Sequence, residues 1–277
     1  MGNRRLGAKR LETVLKRMNA LSADTTGDRS GKTGFDMPAW ELQPAKYWGF
    51  MDDFLVANGS TGVGAGESLA QATAIDNIVW RTNVSTGTSD TITIDAALPG
   101  GILEILHGTG DNEATFMTAI NHCFKFDTSS STARNIWWEC RIKTSDISGT
   151  GFFIGLGSAA GSEETDADGA DIEDACGFYV ADGAASEVLT LLTAEDDNET
   201  ATSLSHTVVD DTYMTLSFYF SGPDIKAYVN GSLKATVGRG TTGFPDGTIV
   251  FPYISVAARE GAANTVSVDY IRCCMER

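Results

Sequence analysis

The chain has 277 residues, of which 42% are hydrophobic and 21% charged, a balance that suits a folded core and excludes a wholly disordered protein. Its formal net charge of −17 argues against broad nucleic-acid binding by the body. No run of about 18 apolar residues occurs, so no membrane-spanning helix is expected, and the basic start leads into no unbroken apolar stretch of the signal-peptide kind.

Residues 1–20 hold six Lys/Arg and one acid, a net of +5, which leaves −22 for residues 21–277. Within residues 6–21, Leu11, Val14, Leu15 and Met18 recur at helical spacing, with Lys9, Lys16 and Arg17 on the opposite face. This predicts a short amphipathic helix. Residues 22–36 are polar and Gly-containing, hence a linker. Its Thr26–Thr33 stretch approaches a phosphate-binding loop, but Thr26 stands where the first Gly is required. Pro38 and Pro44 disfavour regular structure in the next segment. There Trp40, with Tyr47, Trp48 and Phe50, is placed to anchor an extended stretch on a surface.

From residue 46 the pattern is that of one antiparallel β domain. Thirty Gly against six Pro, with abundant Thr, Ser and Val, suit strands joined by tight turns. Strands are predicted at 76–81, 90–95, 101–106, 113–126, 135–143, 151–157, 176–181, 187–193, 204–209, 213–220, 223–230, 232–238, 248–259 and 265–272. Alternation is clearest in Ile225–Val229 and Val266–Ile271, where successive residues would face opposite sides of a sheet. Asn230-Gly231 between two such runs is a two-residue hairpin signal. The domain division is therefore 1–45, a basic arm with linker, and 46–277, an all-β sandwich.

Five cysteines without a C-x-x-C spacing read as reduced, partly buried thiols of a protein made in a cytosol, and Cys273 and Cys274 should face opposite ways. His107, His122 and His206 lack metal-ligand spacing and read as ordinary surface or strand positions. Glu164, Asp166, Asp168 and Gly169 occupy the first positions of an EF-hand-like loop, and Asp171 and Asp174 follow. Position 12 is Ala175, not the closing Glu, so the segment is either a Ca²⁺ site or a solvated acidic loop. No Lys or Arg occurs from 144 to 225 to offset it.

Asp224–Gly238 resembles the hairpin of laminin-G-like and concanavalin-A-like jelly rolls, and Asn135–Gly157 resembles their central strands, an aromatic strand leading into a Gly-rich one. Tyr47–Val56 is similar to the first strand of that superfamily, and the two runs Phe251–Arg259 and Val266–Arg277 to its closing strands, which pair near the first. The resemblance covers 46–277 and implies an antiparallel jelly-roll β-sandwich. Separately, Met1–Leu6 with Lys9-Arg10-Leu11 resembles the N termini of virion structural proteins of tailed marine bacteriophages.

That second resemblance implies a non-enzymatic capsid decoration protein located in the virion. Its arm residues Arg4, Arg5, Lys9, Arg10, Leu11, Leu15, Lys16, Arg17 and Met18, with Trp40, would bind a major capsid or other virion protein, and several arms would act together in a homo-oligomer, such as a trimer. Nucleic acid and membrane are not the expected partners. The alternative is a lectin-like module of a phage head or tail fibre that binds host glycan. A glycan hydrolase is the third reading. The superfamily's glucanases carry Glu-x-Asp-x-x-Glu, and the Asp166–Asp174 stretch breaks that pattern. No catalytic residue and no cofactor beyond Ca²⁺ is expected.

Overall fold

The computed structural model describes residues 37–38, 45–54, 68–70, 79–84, 91–94, 101–109, 114–119, 122–129, 132–158, 172–180, 188–196, 198–258 and 263–277. In chain order the strands are β1 (Tyr47–Asp52), β2 (Ser68–Ala70), β3 (Val79–Val84), β4 (Thr91–Ile94), β5 (Leu103–Leu106), β6 (Ala114–Ala119), β7 (Phe124–Lys125) and β8 (Ile136–Thr144). They continue with β9 (Thr150–Gly157), β10 (Ala175–Val180), β11 (Val188–Glu195), β12 (Asn198–Thr207), β13 (Met214–Phe220), β14 (Asp224–Val229), β15 (Ser232–Gly238), β16 (Ile249–Ala258) and β17 (Thr265–Glu276). No helix occurs among the described residues; the expected N-terminal helix lies outside them.

The strands form two antiparallel sheets. One, here sheet A, has eight strands in the order β15-β14-β13-β8-β17-β5-β4, with β1 also on β17. The other, sheet B, has nine in the order β12-β11-β10-β9-β16-β6-β3-β2, with β7 also on β16. The resemblance to a closing strand near the first is realised: Tyr47 lies opposite Glu276 and Asp52 opposite Ile271. The aromatic and Gly-rich strands of 135–157 sit at the centres of opposite sheets, β8 in A and β9 in B.

Alternation explains the packing. Ile136, Trp138, Cys140 and Ile142 of β8 turn inward, as do Phe152, Ile154 and Leu156 of β9 and Cys176, Phe178 and Val180 of β10. Trp138 stacks on Phe218 of the neighbouring strand, centroids 5.4 Å apart, and on Phe178 of the opposite sheet at 5.8 Å. Truncating such a ring costs about 3–5 kcal/mol. Buried Asp52, at the end of β1, accepts bonds from the Phe54 amide and the Trp80 indole nitrogen, both at 2.8 Å, and so ties β1 of sheet A to β3 of sheet B.

Several boundaries move. The predicted 113–126 strand is two, β6 and β7, separated where the His122 amide bonds back to the Ala119 carbonyl. The predicted 204–209 strand starts earlier, at Asn198, because Thr and Ser edge residues hide it from a hydrophobicity pattern. The Asn230-Gly231 turn is present: both residues have positive φ, 51° and 75°, and the Asn230 side-chain oxygen accepts the Thr215 amide. In β17 the expected strict alternation fails. A bulge between Val268 and Tyr270 shifts the register against β8, so Val266 and Val268 face the core before it and Ile271 and Cys273 after it.

Candidate functional site

The bulge decides what the outer face of sheet A displays. It places Tyr270 and Arg272 on the same face as the outward residues of β8, namely Trp137, Glu139, Arg141 and Lys143. Glu139 lies directly between Ser217 of β13 and Arg272 of β17. Its Oε1 accepts the Tyr270 hydroxyl at 2.8 Å and the Arg272 Nε and Nη2 at 2.9 and 2.5 Å. Its Oε2 accepts the Ser217 hydroxyl at 3.2 Å. The carboxylate is buried, while the Arg272 side chain remains 37% exposed. Burial, followed by the Glu139 charge and the hydrogen bond to it, pushes the Tyr270 phenol well up from its usual range.

Both ends of this network are aromatic. On one side Trp137 lies 5.1 Å from Tyr219 and meets Tyr47 edge-on at 5.8 Å. Burial foremost, then Glu276 and Asp224, pushes the Tyr219 hydroxyl up to about 12. Tyr228 stands opposite Ser217 in the next strand. On the other side the Arg141 guanidinium lies 4.1 Å over the Tyr213 ring and pairs with Asp269. Lys143 also overlies that ring and reaches Asp211 at 3.9 Å. The face is thus close to neutral, with its cations matched by acids, although the whole chain is not.

Sheet B is different outside. Phe153, Tyr179, Leu192 and Tyr253, with Ile172, Ala175 and Ala194, make a second buried apolar cluster, and Phe116 stacks on Tyr253. Facing glycines make this possible. A Cβ on Gly155 would sit 2.4 Å from the Cys176 carbonyl oxygen and the Gly177 Cα, and one on Gly177 would sit 2.6 Å from the Phe153 ring. Exposed Glu199 of β12 lies opposite Ala194 at the margin of this cluster.

Other carboxylates of sheet B gather at one end of the sandwich. Ala175 pairs with Ala194, so Asp174 and Glu195 are the next cross-strand neighbours. Buried Asp174 accepts from the Thr248 hydroxyl and the Asp196 amide. Burial foremost, then Asp246, Asp196 and Asp174, raises the Glu195 carboxyl above its usual range.

Of the proposed Ca²⁺ ligands only Asp174 is described; Glu164, Asp166, Asp168 and Asp171 lie outside the described residues. Among the described residues no group of three or more His, Cys, Asp or Glu is arranged to hold a metal. The arm residues Arg4, Arg5, Lys9, Arg10, Leu11, Leu15, Lys16, Arg17 and Met18, and Trp40, also lie outside. All five cysteines are free; Cys123 is exposed and the others buried, and burial raises the Cys140, Cys176 and Cys273 thiols. Of the histidines expected at surface or strand positions, His206 lies in β12, whereas His107 and His122 are buried and just outside strands. Sequence reasoning missed Glu139, Ser217, Tyr270 and Arg272. One signal was present: the outward positions of β8 read Trp, Glu, Arg, Lys between apolar neighbours.

The architecture is a concanavalin-A-like jelly roll. No family model and no curated protein sequence matches the chain. Among solved structures it is similar to the GH16 protein of the Bacteroides ovatus mixed linkage glucan PUL, in complex with its G4G4G3G product, at 12% identity and TM-score 0.51, covering 80% of this chain and 98% of that one. It is also similar to a beta-1,3-glucanase from Mycobacterium marinum, at 14% and 0.50, covering 81% and 97%. A glycosyl hydrolase family protein from Mycobacterium fortuitum gives 13% and 0.50, covering 81% and 98%.

These likenesses correct the functional expectation. The fold is shared with glucanases and glycosyl hydrolases, and nothing in these neighbours supports a capsid decoration protein, a virion location or a role restricted to non-enzymatic structure. The jelly-roll and sandwich assignment stands. The basic arm that suggested the virion reading is a short segment, whereas the neighbours match about four-fifths of the chain.

Proposed function

We propose that the protein is a glycan-active jelly roll that holds a neutral polysaccharide across the outer face of sheet A. One observation carries this reading: half-exposed Trp137, Tyr219 and Tyr228 adjoin a hydrogen-bonding set, Glu139, Arg272, Ser217 and Tyr270, whose geometry is fixed by mutual contacts. Flat aromatic rings suit the apolar faces of pyranoses, and pre-placed donors and acceptors suit their hydroxyls. Matched charges favour a neutral sugar over an anionic one, which the −17 chain would also repel. The glucanase neighbours support glucans as the first class to test.

A second reading is cleavage of a glycan at one end of sheet B, separate from the outer face of sheet A. Asp174 and Glu195 favour it: they are cross-strand neighbours at one end of sheet B, and burial with nearby Asp246, Asp196 and Asp174 raises the Glu195 carboxyl, the direction a general acid needs.

The test is affinity electrophoresis and reducing-end release on β-1,3-, mixed-linkage and β-1,4-glucans. Trp137→Ala is expected to weaken retention about five- to thirtyfold, since removing one stacking ring costs about 1–2 kcal/mol. Retention that Trp137→Ala leaves unchanged, or none on any glucan, rejects the sheet A reading. Reducing ends that vanish in Glu195→Gln support cleavage, and their absence in the parent rejects it.

A further inference from the structure

Three neighbouring strands of sheet A each lift one ring from the outer face: β8 with Trp137, β13 with Tyr219 and β14 with Tyr228. All three residues are half-exposed, and the residues before and after each belong to the core, so the rings point outward. Trp137 lies directly opposite Tyr219, with ring centroids 5.1 Å apart. That is close to the spacing of about 4.8 Å between paired strands. Tyr228 stands opposite Ser217 in the next strand, diagonal to Tyr219.

The row stops at both ends. β17 sets fully buried Cys274 opposite Trp137, and Tyr47, which meets Trp137 edge-on, is only 4% exposed. β15 sets Leu233 opposite Tyr228 and Thr236 opposite Lys226. Along β8 the pattern differs: after Trp137 the outward residues are Glu139, Arg141 and Lys143, engaged with Arg272, Asp269 and Asp211. A ligand lying along the strands would meet one ring and then paired charges. A ligand lying across them meets three rings in succession.

We propose that a β-1,4-linked glycan crosses the strands from β8 to β14, with one pyranose on each of the three rings. This rests on the glycan-binding reading of sheet A and adds direction, length and linkage to it. Equatorially linked β-1,4 pyranoses form a straight ribbon, with apolar faces along its axis and hydroxyls on its edges. Each sugar advances the ribbon by nearly one strand spacing, so rings held in a row across strands match its repeat. A β-1,3-linked chain curls, and its third sugar leaves the line of rings. Arg272, diagonal to Trp137 and 37% exposed, keeps donors at the ribbon's edge, where the hydroxyls lie.

The experiment is isothermal titration calorimetry of the full chain with cellobiose, cellotriose, cellotetraose and laminaritriose. From cellobiose to cellotriose the affinity should rise about two- to tenfold, the worth of one more stacked ring, and cellotetraose should add less than about twofold. Laminaritriose should bind more weakly than cellotriose. Tyr228→Ala should abolish the gain from the third sugar and leave cellobiose within about twofold, because Trp137 and Tyr219 still carry two sugars. Lys143→Ala should change neither. Three results overturn the proposal while leaving glycan binding on sheet A intact: equal affinity for cellobiose and cellotriose, tighter binding of laminaritriose than of cellotriose, or cellotriose binding that depends on Lys143 and not on Tyr228. The chain-length series needs no variant, so it decides even if Tyr228→Ala does not fold. Heat from none of the sugars, or binding that ignores Trp137→Ala, overturns the proposal together with the reading beneath it.

Discussion

The two sheets of this sandwich finish their outward surfaces in opposite ways. Sheet B lays rings flat over facing glycines in a buried apolar layer, so that part of its outer surface behaves as a second core. Sheet A leaves its rings half-exposed and fills the space between them with a carboxylate, a guanidinium and two hydroxyls. The first arrangement tolerates no added atoms. The second keeps fixed polar groups at the surface, which recognition requires and stability does not. Both surfaces rest on one shared core, so the difference between them arises from side-chain choice at outward positions alone.

The contrast breaks first at Gly155. Gly155→Val puts atoms into the Cys176 backbone, which cannot yield as a side chain does, and should cost about 3 kcal/mol or more, lowering Tm by roughly 6–12 °C in a calorimetric scan. An unchanged Tm would mean that sheet B's outer layer is not close-packed. Glu139→Gln comes next. It removes the charge that Arg272 and Tyr270 address, but Arg272 reaches solvent, so the loss should be about 1–2 kcal/mol rather than that of a fully buried pair. Urea unfolding with an unchanged m-value checks it, and glucan retention should fall in the same variant.

The smallest effect tests the acidic end of sheet B. Glu195 has a raised pKa in the folded chain, so the folded state binds more protons than the unfolded one just above the ordinary glutamate range. Its contribution to stability is present below the unfolded pKa and is lost as pH rises through the folded pKa. Glu195→Gln should therefore raise Tm by about 1–2 °C at neutral pH and flatten the weakly acidic part of the Tm profile. A lower Tm at pH 7 would show the charge to be stabilising after all.

Fold class and much of the strand layout were legible because strands with one buried face announce themselves by alternation. Ile225–Val229 and the Asn230-Gly231 turn lie where the pattern put them. The candidate site was far less legible. Glu139, Ser217 and Arg272 become neighbours through pairings that span 78 and 133 residues, and a local pattern carries no such register. The bulge at Asp269 hid the rest, since uninterrupted alternation would turn Tyr270 and Arg272 inward. The glycines of sheet B were visible as composition, but their partners across the ladder were not. The charge asymmetry of the first twenty residues was a true feature of the sequence, but it led to a virion role that the fold does not support.

The position of β17 has a consequence for how the protein is made. This strand joins β8 to β5 and also receives β1, so it is the middle of sheet A, yet it follows all the other described strands in the chain. Until 265–276 emerge, β1 has no partner, β8 pairs on one side only, and the inward face of sheet A stays open to water. Sheet A cannot close before β17 is made, and β1 and β17 meet across more than 200 residues of intervening chain, a closure of high contact order and correspondingly slow. Before that closure the chain carries exposed aromatic strands, and a net charge of −17 disfavours their association with other copies.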